Sequence, residues 1–118
     1  MSAGDYEPLT LESDQTGSAV VVHVCGSVTI NDADLLSAKL QGLVEMQVMT
    51  IVLDLSKMNF ICSDGLGSII SAYVKRHGEN EKLLLVSPQP AVRKVLETTR
   101  LTKLFPIYDT IEQALADA

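Results

Sequence analysis

Three short, nearly continuous apolar runs, at residues 19–25, 49–55 and 82–86, constrain the fold more than any other feature of the chain. Runs of this length, rich in Val, Ile and Leu and bounded by turn residues, are the pattern of strands covered on both faces. Each is followed by a stripe of apolar residues at helical spacing. Leu36, Leu40, Leu43 and Val44 form the first stripe, Leu66, Ile69, Ile70, Tyr73 and Val74 the second, and Val92, Val95 and Leu96 the third. Strands alternating with helices in this way predict parallel pairing through right-handed crossovers.

The flanks complete the plan. Residues 6–13 alternate well enough after Pro8 for an edge strand, and the polar cluster at 14–18 predicts the turn of an antiparallel hairpin with residues 19–25. Gly26 is expected to end that second strand, with residues 26–30 as a strand end or loop. Asn31 or Asp32 can cap the next helix, which should run to about residue 47. The helix of the second stripe should end near Gly78, where His77 complements its C-terminus. Residues 79–81 read as a polar turn. Pro88 and Pro90 suit a helix start, and residues 104–108 suit a short edge strand. Asp109 or Thr110, with Glu112 or Gln113 three residues on, opens a last helix docked by Ile111, Leu115 and Ala114. The expectation is one α/β domain over residues 1–118, with a mixed sheet and about four helices.

At 118 residues and 47% hydrophobic content, the chain can bury a core without disulfides or metals. No apolar run approaches the roughly 20 residues that span a bilayer, and the first residues carry neither a basic nor an apolar signal segment, so no membrane insertion and a cytoplasmic location are expected. A net charge of −6 with nine scattered basic residues argues against nucleic acid. Cys25 and Cys62 have no metal spacing and read as free thiols, and no cofactor or metal is expected. His23, alone inside its strand, reads as structural.

The chemistry concentrates in Phe60-Ile61-Cys62-Ser63-Asp64-Gly65-Leu66-Gly67-Ser68, between the second apolar run and its helix. A loop leaving the carboxyl end of a parallel strand and entering a helix is where open α/β sheets place their sites. Ser63 suits the N-cap, and its hydroxyl is a candidate for phosphorylation, since helix N-termini favour anions. Gly65 and Gly67 in the first turn each cost about 1 kcal/mol relative to Ala, so they call for a close neighbour or a partner surface. Cys62 is a second candidate, as a nucleophile, but the chain offers it only His23 or His77 as a base. A phosphate-cradling loop is unsupported, because no glycine-rich run ends in Lys-Ser or Lys-Thr.

Residues 51–56, the stretch from Phe60 to Gly67, the helix start at 87–92 and the closing 110–115 together resemble the STAS domain, and more specifically the bacterial anti-sigma factor antagonists. The resemblance implies partner switching. The unphosphorylated antagonist binds an anti-sigma factor with serine kinase activity, phosphorylation of the loop serine ends the binding, and a serine phosphatase reverses it. It places the modified serine at Ser63 and the contact surface on Cys62, Ser63, Asp64, Gly65, Leu66 and Gly67, with no catalytic residues. Cys62 stands where the family usually has Asp, Asp64 where it has Ser or Thr, and Thr29 where an acidic residue is common. The alternative within the family is an adaptor that docks constitutively, in a sensory complex or a lipid-transport machine.

Overall fold

The computed structural model describes residues 7–75 and 81–117. The elements run β1 (Thr10–Thr16), β2 (Ala19–Val28), α1 (Ala33–Glu45), β3 (Thr50–Asp54), β4 (Met58–Ile61), α2 (Ser63–Val74), β5 (Lys82–Val86), α3 (Pro90–Thr98), β6 (Ile107–Tyr108) and α4 (Ile111–Ala116), with a 3-10 turn at Leu101–Lys103. The expected α/β class and mixed sheet are present. β1 pairs antiparallel with β2, then β2–β3, β3–β5 and β5–β6 are parallel, and β4 pairs with the far end of β2.

Strand alternation sorts the apolar residues into two layers. Val22, Val24, Ile51, Leu53, Leu83 and Leu85 point to the face packed by α1, α2 and α3, through Leu36, Leu40, Leu66, Ile69, Val92 and Leu96. Val21, Val52, Leu84 and Val86 point the other way, onto α4. Ala114 is the fully buried residue of that helix, with Ile111 and Leu115 at its margins. Thr110 caps α4, its hydroxyl accepting from the Gln113 amide at 3.1 Å.

Four expectations are corrected. The turn of the first hairpin is not residues 14–18 but the pair Gly17-Ser18, because Thr16 already pairs with Ala19. Gly17 supplies the positive φ, +61°, that so tight a reversal needs. Gly26 does not end β2. It bends the strand, at φ +92°, and the register against β4 shifts between it and Ser27, as at a bulge. Helix α1 stops at Glu45, two residues short, where Gln47 turns to φ +57°. β4 was not anticipated at all. His77, Gly78 and the first two residues of the 79–81 turn lie outside the described residues.

Candidate partner-binding surface at the start of α2

The surface is set by how the chain leaves β3. Asp54 ends that strand and its Oδ1 accepts from the Ser56 amide at 3.0 Å, a local turn that sends the chain sideways. The Lys57 carbonyl then accepts from the Gly26 amide at 2.9 Å. β4 runs alongside the bent end of β2, pairing Phe60 with Ser27 and Ile61 with Val28. The buried Ser27 donates its hydroxyl to Asn59 Oδ1 at 2.5 Å, so the polar atom at this crossing is satisfied. Last in the series, the Cys62 amide donates to the Val28 carbonyl at 2.9 Å and anchors the entry to α2.

This anchor decides the helix boundary. Cys62, with extended backbone, is the N-cap of α2, and its Sγ accepts from the Gly65 amide at 3.4 Å. Ser63 is therefore the first helical residue and not the cap, as Ser63's residue type had suggested. The shift frees its side chain: Ser63 and Asp64 are exposed, and among the described residues the Ser63 hydroxyl has no hydrogen-bond partner. The exposed carboxylate of Asp64 sits in the first turn, where the helix favours negative charge.

The two glycines have different reasons to be bare. A Cβ on Gly65 would lie 2.8 Å from both Ile61 Cγ1 and Val28 Cγ1, so this glycine lets α2 pack onto β2 and β4. Gly65 and its neighbour Leu66 face the interior. Of the six residues in the expected contact surface, these two support it from beneath. Gly67 is exposed, and a Cβ there would meet nothing within 4 Å.

Beside this turn lies a cleft of ≈ 570 Å³, walled by Pro8, Ile30, Phe60 and Cys62 and edged by Glu7 and Asp32. Ile30 is 71% exposed, and Asp32 accepts from the Thr29 hydroxyl at 3.2 Å through one oxygen. No Lys, Arg or His lines the cleft among the described residues. Sequence reasoning did not single out Ile30, and it named Phe60 only as the first residue of the central stretch. An isolated apolar residue in a loop gives no periodic signal, and only its position beside Cys62 makes it part of a surface.

Of the two histidines considered as a base for Cys62, His77 lies outside the described residues and His23 is not beside the thiol. His23 lies on the opposite face of the sheet, between Asp54 and Asp14. Among the described residues, no three His, Cys, Asp or Glu side chains are grouped to hold a metal ion, and no helix is long and apolar enough to cross a membrane.

A mixed sheet with this strand order, packed by four helices, is the arrangement of a known domain. The chain belongs to the STAS domain family, whose family model matches residues 10–114. Its similarities within the family include the anti-sigma F factor antagonist of Paenibacillus polymyxa, 26% identical over 110 residues that cover 92% of this chain and 94% of that protein. The crystal structure of an anti-sigma factor antagonist from Mycobacterium paratuberculosis superposes with a TM-score of 0.86 at 29% identity, covering 99% of this chain and 97% of that one. The anti-sigma factor antagonist SpoIIAA in its unphosphorylated form shares the fold, with a TM-score of 0.77 at 24% identity over 92% of this chain and 93% of that one.

Proposed function

We propose that this STAS protein is a cytoplasmic anti-sigma factor antagonist that works by partner switching. Unphosphorylated, it binds an anti-sigma factor with serine kinase activity through Cys62, Ser63, Asp64, Gly67 and the adjoining cleft, with Gly65 and Leu66 holding that turn in place. Phosphorylation of Ser63 ends the binding and a serine phosphatase restores it. The protein acts as a binding module and carries out no catalysis of its own.

The observation that carries this reading is the exposed Ser63 hydroxyl at the first position of α2, without a hydrogen-bond partner among the described residues. A kinase can reach it, and the phosphate, of about −1.5 to −2 charge, would stand at a helix start that tolerates it. A partner seated over Gly67 would have to bury that charge unpaired, at a cost of about 2–5 kcal/mol, or roughly thirtyfold to several-thousandfold in affinity. The names of the relatives support the choice of partner.

The test is incubation with the cognate anti-sigma kinase and ATP, with the phosphate mapped by mass spectrometry. The expected result is modification at Ser63 and loss of the complex. Modification elsewhere, or none, overturns the switch. The constitutive adaptor is the second reading, favoured by Asp64, whose carboxylate stands beside the site of the proposed phosphate. Unit charges about 6 Å apart repel by roughly 0.7–3 kcal/mol at an effective dielectric of 20–80. Ser63→Ala and Ser63→Asp separate the two. A switch loses its partner only with Asp, whereas an adaptor keeps it with both.

A further inference from the structure

The sheet face opposite α2 carries a second cluster, which the partner-switching reading does not use. α4 covers only the part of that face formed by Val21, Val52, Leu84 and Val86. Beyond it, β1, β2 and β3 present an open pocket of ≈ 320 Å³ lined by Glu12, Asp14, His23, Cys25, Asp54 and Lys57. His23 sits in the middle of β2, paired in register with Glu12 of β1 and with Asp54 of β3. Its Nδ1 lies 2.8 Å from Asp54 Oδ2 and its Nε2 lies 3.2 Å from Asp14 Oδ2.

Two carboxylates on one imidazole is a chemically restrictive arrangement. A neutral ring has one N–H and can donate once, whereas an ionised carboxylate only accepts. Both contacts are hydrogen bonds at once only when the ring carries two protons. The surrounding charge favours that state: from β1 come Glu12 and Asp14, from β3 Asp54, from β2 the Cys25 thiol, and among the described residues the one cation lining the pocket is Lys57 in the turn after β3. Three carboxylates facing one ammonium are better balanced with an imidazolium among them.

We propose that His23 is a protonated bridge that latches the edge strand β1 to β3 across β2, and that losing one proton opens the latch on the β1 side. The Asp54 contact is the shorter and better shielded, with His23 and Asp54 side chains 28% and 15% exposed, while Asp14 is 75% exposed. Deprotonation therefore keeps the Asp54 bond and gives up Asp14. β1 is the element poised to respond. Apart from its backbone ladder to β2, its described side-chain ties are Leu11 against the core, Ser13 accepting from Lys39 at 2.9 Å on the other face, Gln15 donating to the Gly17 carbonyl within the turn, and the Asp14–His23 bridge. The direction of titration agrees: the Asp54 hydrogen bond raises His23 above its ordinary value, against a lowering by burial, with Asp14 adding to the rise. This latch is independent of Ser63 and stands whether or not that serine is modified.

The experiment is NMR on the full chain. Below its titration midpoint, both ring nitrogens of His23 should show the 15N shifts of N–H groups, and that midpoint should lie above the ordinary 6.5 and fall in Asp54→Asn and by a smaller amount in Asp14→Asn. Amide exchange in β1, corrected for base catalysis, should quicken by about two- to fivefold as pH rises through that midpoint, the range expected for one exposed ion pair. Amides of α2 serve as the control and should not change. In His23→Gln, the pH-dependent part should vanish. Should that variant fail to fold, Asp14→Asn, altered at an exposed position, must remove the same part. A midpoint at or below 6.5, or β1 exchange following the same course in these variants, overturns the latch.

Discussion

Gly65 and Gly67 stand two residues apart in one helix turn and answer to opposite constraints. A methyl on Gly65 meets branched carbons of Ile61 and Val28 at 2.8 Å, atoms held close to the backbone that cannot swing away. Gly65→Ala should therefore destabilise the protein by about 1–3 kcal/mol in urea unfolding, the usual cost of overpacking. Gly67→Ala meets open space and should leave stability unchanged or raise it by up to about 1 kcal/mol through the better helix propensity of Ala. If Gly67 lies under the partner, the same variant should weaken the complex while unfolding no earlier. The sequence made both glycines noticeable but could not tell them apart, because what distinguishes them is a wall supplied by β2 and β4. The capping residue was misplaced for a related reason. Serine is intrinsically the better cap, yet the bond from the Cys62 amide to Val28 fixes the boundary one residue earlier.

Among the elements, β4 was the one the sequence concealed. It spans four residues, Met58–Ile61, buried at its ends and exposed at the middle two, so it shows neither the period of two nor the continuous apolar run by which strands are recognised. It forms because β2 continues past Gly26 and offers it a backbone to pair with. The longer strands and helices were legible, since each has a full stripe or run of its own. The bend at Gly26 is where the two behaviours meet. Its φ of +92° is poorly tolerated by a side chain, and a Cβ would lie 2.2 Å from the Pro8 carbonyl oxygen, a backbone atom that cannot yield. Gly26→Ala should cost at least about 1–3 kcal/mol from conformational strain alone. Calorimetry should show a lower Tm, and cross-peaks of β4 should shift along with those of β2.

For the whole molecule, topology gathers chemistry at one end of the sheet. The bent end of β2, the loop that follows it, β4 and the start of α2 come from separate parts of the chain, and together they build the cleft beside Ser63. Its apolar wall and acidic edge suit a partner segment that brings an apolar side chain flanked by positive charge. Ile30→Asp places a carboxylate on that wall at a residue 71% exposed. It should reduce affinity for the proposed anti-sigma partner at least tenfold in calorimetric titration and leave the unfolding midpoint within error of the parent. Equal affinity would move the contact away from the cleft. Helix α2 also has two sides with separate duties: Leu66, Ile69 and Ala72 look inward, while Ser63 and Gly67 look out. Under the proposed switch, a message written on the outer side need not disturb the inner one, so allegiance could change many times over without the protein being unfolded or remade.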